Sequence, residues 1–334
     1  MDFKSFQQIG TKSDRSSQGS NGSTIMALIK ALRIPHWIKN LFVFAAILFA
    51  RKWDQSNAWI MTISTFISFC FLSSAIYVIN DIADRNSDRA HPEKRNRPIA
   101  SGQLSITVAA ISAGILLLAG AGIIAYLSAG LYEPTRHLAG LGLATWAGAY
   151  VVINLAYSLG LKNKPIIDVI IIAMGFVFRA MAGAEAISVM TSSWLVICTF
   201  TLCLFIALAK RRGEIISLGE QASQTRRVNY FYSPTNIEHM LAVSAGLAIL
   251  TYMLYCLADQ TIERIGSANL IWTIPIVVYG MFRYYCLTLA TKKADPVEVL
   301  LHDKVLWLVG IVWLLCIIII LQWGSSGVVR GIIQ

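Results

Sequence analysis

Charge is what this chain has least of. Asp, Glu, Lys and Arg make up 14% of its 334 residues, against about 25% in a soluble domain. Apolar residues reach 56% and mean hydropathy is +0.62, which excludes an ordinary water-soluble domain and calls for an integral membrane protein. Cysteine chemistry is missing as well. Cys70, Cys198, Cys203, Cys256, Cys286 and Cys316 all fall inside or at the ends of apolar runs. With no Cys-x-x-Cys pair and no His/Cys cluster at zinc spacing, zinc modules and a disulfide framework are excluded, leaving small apolar packing. Residues 1–24 are polar and Ser/Gly-rich, without the apolar core of a signal peptide. They read as a disordered cytoplasmic tail ahead of one transmembrane domain, 25–334. Acidic residues are also few, 18 against 28 Lys and Arg, a net charge of +10. That excess either orients the chain in a bilayer or gathers anionic lipids and substrates. It does not argue for nucleic acid in a membrane protein.

What is present is a set of nine apolar runs. They lie at about 36–51, 57–79, 104–128, 137–157, 165–187, 191–209, 237–257, 268–290 and 304–323, most of them close to the roughly 20 residues that a bilayer requires. The expected architecture is therefore all-α, nine transmembrane helices in one bundle. Glycines in the third and fourth runs (Gly114, Gly120, Gly122, Gly140, Gly142) permit close helix packing. With the N-terminus in the cytoplasm, 21 of the 28 Lys and Arg fall on the cytoplasmic side and five on the other. The positive-inside rule thus places the polar helix ends in the cytoplasm, in a multi-pass protein of a bacterial inner or plasma membrane. The inverted repeats with broken helices that mark transporters are not evident.

The charges that do occur are concentrated. Asn80 to Gly102 reads NDIADRNSDRAHPEKRNRPIASG. Asn80, Asp84 and Asp88 stand at i, i+4 and i+8, drifting only about 40° around a helix and so sharing one face. Three oxygen ligands on a face suit a hard cation, Mg²⁺ left partly hydrated for phosphate oxygens. Lys94, Arg95 and Arg97 follow within reach of an anion on that metal. A solvated charged loop with a helix cap is the plainer alternative. The coincidence of acidic register and basic tail favours a metal–polyphosphate site.

Other clusters are more ambiguous. Tyr157 and Lys162 straddle a glycine turn, with Lys164 beyond, and the lysines serve equally as positive-inside anchors or as ligands. Asp168 opens an apolar helix, where a carboxylate is expensive; it reads as an N-terminal cap or as a partner for one of these lysines. Lys210, Arg211 and Arg212, with Glu214 behind them, read as an orientation anchor or a phosphate clamp. The segment 213–236, with Arg226, Arg227, Tyr230, Phe231 and Tyr232, reads as a loop or surface helix able to cover a site. Asp295, Glu298 and Asp303 form an acidic group after the eighth run. Arg179 and Arg283 lie within apolar runs and are expected to face the bundle interior or water. Glu185 is the expected neighbour of Arg179, and Arg283 is expected to snorkel toward the cytoplasm. Arg33, His36, Lys39 and Asn40 add polar groups at the cytoplasmic end of the first run.

The Asn80–Gly102 stretch resembles the first Asp-rich motif of the UbiA-type intramembrane prenyltransferase superfamily, NDxxDxxxD followed by a basic loop containing Arg-Pro. Nine spans agree with that family over residues 30–323. Within it, RIPHWIKNLFVFA, NLAYSLGLKNKPIIDV, TIPIVVYGMFRYYCL and ADPVEVLLHDK resemble the branch that transfers phosphoribose to decaprenyl phosphate. Family members that ionise a prenyl diphosphate carry a second Asp-rich motif after the sixth helix; here that position reads KRRGEIISLGE. The resemblance implies an Mg²⁺-dependent transferase moving 5-phosphoribosyl from phosphoribosyl pyrophosphate to a polyprenyl phosphate in the membrane. Asn80, Asp81, Asp84 and Asp88 would serve the metal, and Asp84, Asp88, Lys94 and Arg97 the catalysis. Lys39, Lys94, Arg95, Arg97, Tyr157, Lys162, Lys210, Arg211 and Arg212 would bind substrate phosphates, supported by Asp168, Glu214, Arg179 and Arg283. The alternative is prenyl transfer to an aromatic acceptor. A homo-oligomer is compatible with either.

Overall fold

The computed structural model describes residues 18–92, 94–130, 139–190, 192–218, 231–290 and 303–323. Among them there is no strand. The helices are α1 (Gln18–Leu32), α2 (Ala45–Phe49), α3 (Ser56–Ala83), α4 (Arg85–Ala90), α5 (Ile106–Gly130), α6 (Ala139–Leu159), α7 (Ile167–Ala186), α8 (Ser193–Leu218), α9 (Pro234–Leu257), α10 (Asp259–Ile265), α11 (Ile274–Ala290) and α12 (Lys304–Trp323). Short 3-10 segments occur at Ile34–Phe44, Lys94–Asn96, Leu161–Asn163 and Asn269–Thr273.

Nine stretches of the described residues are long and apolar enough to cross a membrane, as the apolar runs predict. Their edges move where the sequence gives weak punctuation. The first stretch runs Thr24–Phe49, about twelve residues earlier than predicted. The reason lies in α1, whose IMALIKAL segment is helical and packs Ala27 and Ala31 against α3 and the loop after it. Helix α1 begins at Gln18, inside the stretch read as a tail; residues 1–17 lie outside the described residues.

Two helices form the axis. The apolar window of α7 is 72% buried and that of α3 is 61% buried, while the other seven reach at most 39%. Helix α7 contacts α3, α6, α8 and the Ile34–Phe44 segment. That approach requires Gly183: a Cβ there would collide with the backbone carbonyl of Val43. Gly120 plays the same part between α5 and α3, where Ser68 Oγ donates to the Gly120 carbonyl at 2.8 Å. Peripheral faces stay apolar and open, with Leu118 and Tyr126 on α5 exposed, as suits contact with lipid rather than water.

Helix α3 is longer than the membrane needs. Its 28 residues rise about 42 Å, against about 30 Å of hydrocarbon. Asn80 and Asp81 lie in the last turn of this long helix, beside the charged residues 84–97.

Candidate functional site

Helix α3 stops at Ala83 because Asp84 adopts φ −89° and ψ 1°. The hydrogen-bond ladder nevertheless passes through the bend, from Asp84 N to Asn80 O and from Asp88 N to Asp84 O, both 2.8 Å. The acidic residues thus stay together but no longer share one face. Asn80 Nδ2 donates to Asp84 Oδ2 at 3.0 Å, and Lys162 pairs with Asp84 Oδ1. Asp88 turns the other way, onto Arg97 at 2.7 Å. Arg97 also bonds Asp81 Oδ1 at 3.1 Å, and Arg33 reaches the same oxygen at 2.5 Å.

The predicted triad of Asn80, Asp84 and Asp88 is therefore divided into two groups. One is Asn80, Asp84 and Lys162. The other is Asp81, Asp88, Arg33 and Arg97. Among the described residues no three acidic, His or Cys side chains lie together as a metal cage. The bend at Asp84 and the pull of Arg97 account for the difference from the helical-face expectation. Accessibility separates the groups further: the Asp84 side chain is 18% exposed, those of Asp81 and Asp88 only 3% and 5%.

The first group still fits a hard divalent ion. Its donors are all oxygen, and the Lys162 ammonium lies against Asp84 Oδ1 and 3.5 Å from Asn80 Oδ1. These oxygens thus already face a common positive charge. Mg²⁺ commonly takes only one or two carboxylates and leaves its other positions to water and phosphate. Asn80 and Asp84 meet that requirement without Asp88.

The loop after α4 closes on itself. Arg89 Nε donates to the Ala100 carbonyl at 2.9 Å, and Ile99 and Leu104 are buried beneath it. This fold turns Arg97 inward, leaves Arg95 exposed and holds Lys94 half-buried in its 3-10 turn. Lys39 lies half-buried on the Ile34–Phe44 segment, and Tyr157 half-buried near the end of α6.

Lys162 is carried by a turn under strain. Ile166, a β-branched residue, has φ 67° and ψ −45°, which costs on the order of 1–3 kcal/mol and must be held by its surroundings. The Ile166 N–H donates to the Tyr232 hydroxyl at 2.7 Å, and that hydroxyl donates to Asp168 Oδ1 at 2.8 Å. Asp168 is fully buried and its other oxygen pairs with Arg211 at 2.6 Å. Burial pushes the Tyr232 hydroxyl well above the ordinary phenol range, so it remains a proton donor. Asp168 is thus neither a helix cap nor a partner of Lys162 or Lys164. Its partners come from α8 and from just before α9.

Two cations of the α8 run make internal ion pairs. Arg211 is 3% exposed and bonds Asp168 and Glu214. Arg212 bonds Glu238 at 2.8 Å and the Thr288 carbonyl at 2.7 Å, tying α8 to α9 and α11. Adjacent residues on a helix point about 100° apart, so Lys210, Arg211 and Arg212 diverge instead of converging on one phosphate. Lys210 is half-buried.

Arg179 is buried, as expected, but Glu185 is not its partner. Its guanidinium donates to Asn40 Oδ1 at 2.6 Å, the Gly175 carbonyl at 2.7 Å and the Tyr150 hydroxyl at 2.8 Å, and lies 4.4 Å from the Tyr150 ring centroid. Glu185 instead packs against Gly142. Arg283 takes both oxygens of Asp303, at 3.0 and 2.8 Å. That pairing and a backbone bond from Leu306 hold the Asp303 carboxyl below its usual range. Asp295, Glu298 and residues 219–230 of the covering segment 213–236 lie outside the described residues. Arg33, Tyr232 and Glu238 are site-framing residues for which the sequence offers charge and aromaticity but no spacing signal.

The UbiA prenyltransferase family profile matches residues 40–309. Decaprenyl-phosphate phosphoribosyltransferase of Corynebacterium glutamicum is 33% identical over 295 residues, covering 87% of this chain and 85% of the relative. The enzyme of the same name from Mycolicibacterium smegmatis is 30% identical over 307 residues, covering 89% and 92%. A UbiA homolog from Archaeoglobus fulgidus, solved with GPP and Mg²⁺, superposes with a TM-score of 0.65 at 17% identity, over 89% of this chain and 99% of that one.

Proposed function

Since the chain belongs to the UbiA prenyltransferase family, we propose that it transfers 5-phosphoribosyl from phosphoribosyl pyrophosphate to the phosphate of a polyprenyl carrier, releasing pyrophosphate. The observation that carries this reading is the division of charge between α3 and α8. The polar end of α8, where a second acidic motif would assist prenyl diphosphate ionisation, spends Arg211 and Arg212 on internal ion pairs. The Asn80–Asp84 pair remains as the accessible cation locus. One such locus suits a donor with a single diphosphate and an acceptor that is already a phosphate anion. The two relatives bearing the phosphoribosyltransferase name support the same reaction.

Asn80 and Asp84 would hold Mg²⁺, which supplies charge neutralisation on the departing diphosphate. Lys162 faces the same oxygens and would turn its ammonium to that leaving group when a divalent ion displaces it. The C1–O bond to pyrophosphate breaks with its electron pair on the leaving oxygen, and an oxygen of the carrier phosphate bonds to C1. Oxocarbenium character at C1 makes electrostatic stabilisation of the leaving group the main requirement. The carrier phosphate is anionic at neutral pH, so no strong general base is needed. Asp81 holds Arg33 and Arg97 beside this locus, and Asp88 holds Arg97 from its other side. Residues 25–334 act as one domain, with the N-terminus and this site on the cytoplasmic side, where a water-soluble sugar donor is available.

The test uses purified full-length protein, phosphoribosyl pyrophosphate labelled in the ribose, and a short polyprenyl phosphate. Ribose label entering the lipid phase, and its loss when Mg²⁺ is chelated, is the expected result. Label that stays in water, with isoprenoid from a prenyl diphosphate joining an aromatic acceptor instead, overturns the proposal.

A further inference from the structure

A polar cavity of about 360 Å³ opens beside the Asp-rich end of α3, lined by Lys30, Arg33, His36, Asp81, Asn96 and Arg97, with Pro98 the lone apolar contributor. It is assembled from three separate pieces of chain. Lys30, Arg33 and His36 come from the last turn of α1 and the 3-10 segment that follows it, Asp81 from the end of α3, and Asn96 and Arg97 from the loop after α4. Arg33 adopts a left-handed backbone, φ 53° and ψ 47°, and such outliers persist only where the surroundings over-determine them. Here they do. The Arg33 guanidinium lies 5.0 Å from the Tyr77 ring centroid and bonds Asp81, while the His36 ring stands 5.7 Å from the same Tyr77 ring. Asp81 Oδ1 thereby fixes both Arg33 and Arg97 at the cavity wall.

The charge balance favours an anion. Three cations, Lys30, Arg33 and Arg97, stand against Asp81 in the wall and Asp88 behind Arg97, and Asn96 and His36 add polar groups. The volume lies at the small end of the range for ligand cavities, about 300–1,000 Å³. A sugar phosphate fits that size and the cationic side chains that line it. Asp81 and Asp84 are one helical turn apart, so this cavity and the Asn80–Asp84 locus flank a single helix end.

We propose that the Lys30–Arg33–His36–Arg97 cavity is a phosphomonoester subsite, which takes the 5-phosphate of the sugar donor while the diphosphate at C1 lies at Asn80, Asp84 and Lys162. This assignment rests on the phosphoribosyl-transfer reading for its donor. It makes the end of α3 a two-pronged ruler, gripping the ribose by phosphates at opposite ends and orienting C1 between them. Arg33 and Arg97 are positioned by Asp81, and Lys30 supplies a further charge from outside the Asp-rich motif. A carrier-lipid phosphate has the same chemistry, and the experiment separates the two.

The probe is radiolabelled ribose 5-phosphate, which lacks a diphosphate, bound at equilibrium to detergent-purified full-length protein. Lys30→Ala changes an exposed side chain on α1, and His36→Gln removes the ring while keeping polarity. Each is expected to weaken ribose 5-phosphate binding about three- to tenfold and to raise KM for the donor equally. Inhibition by inorganic pyrophosphate and KM for the polyprenyl phosphate should stay at wild-type values. Unchanged ribose 5-phosphate affinity in both variants overturns the subsite while leaving phosphoribosyl transfer intact. A rise confined to KM for the polyprenyl phosphate also overturns it and gives the cavity to the carrier. Lys30-dependent binding in a protein that transfers no phosphoribosyl supports the subsite and overturns the functional reading alone.

Discussion

The polar ends of α3 and α8 look alike as strings of letters, each a charged run closing an apolar helix, yet the protein uses them in opposite ways. At the end of α3 the charges line open space: Asp84 is partly accessible, and Arg33 and Arg97 border a cavity. At the end of α8 the two arginines are buried. Arg211 and Asp168 form a pair with side chains 3% and 0% exposed, and Arg212 spans three helices. Removing one partner of a buried ion pair such as Arg211–Asp168 is strongly destabilising, because it leaves the other charge buried and uncompensated. Under the proposed function, the contrast assigns the chemistry to the end of α3 and a holding role to the end of α8.

Substitutions can break that contrast. The largest expected effect is on α3: Asp84→Ala should lower phosphoribosyl transfer by about a thousandfold, with expression, membrane insertion and thermal stability kept. Near-normal turnover in that variant would remove Asp84 from the site. On the α8 side, Asp168→Asn should do the reverse and destabilise the detergent-solubilised protein by about 3–5 kcal/mol, read as a fall in melting temperature. A loss of activity without loss of stability there would return Arg211 to the substrate. Tyr232→Phe sits between the two regions. It removes one donor to Asp168 and one acceptor for Ile166, so it should cost about 1–3 kcal/mol and raise KM for the donor severalfold as the Lys162 turn loosens. A variant indistinguishable from wild type in both would show that the strained turn holds itself. The smallest effect belongs to Arg283→Gln, which breaks a partly exposed pair with Asp303. Because the carboxyl of Asp303 is held below its usual range, the pair stabilises above about pH 4 and is lost as pH falls through the lowered value. Wild type and variant should therefore converge in melting temperature toward low pH; a gap that persists there would assign the effect to packing instead.

Much of this was legible before the fold. Nine spans follow from hydropathy, because a bilayer asks each helix for length and apolarity and little else. The Asp-rich stretch is legible for the same local reason: Asn80, Asp81, Asp84 and Asp88 lie close in the chain and stay close in space. What is not legible is direction and partnership. A helical wheel carries Asp88 onto the face of Asp84, but the bend at Asp84 gives it to Arg97. Lys210, Arg211 and Arg212 read as one cluster, although neighbouring helix positions point away from one another. Arg33 meets Asp81 across 48 residues and Arg179 meets Asn40 across 139; no spacing rule spans such distances. The start of the first span is missed because α1 is only weakly apolar and its Ala27 and Ala31 matter through what they touch.

Arg179 has a consequence for how the protein is made. It lies about 18 Å along α7 from Ile167, and a lone arginine at such depth raises the cost of inserting a helix by about 2.5–3.5 kcal/mol. The two side chains that receive its guanidinium, Asn40 and Tyr150, belong to spans synthesised earlier. When α7 leaves the ribosome, its acceptors are already in the membrane, so the order of the chain serves as an assembly schedule in which the first span and α6 wait for α7 and then close around it.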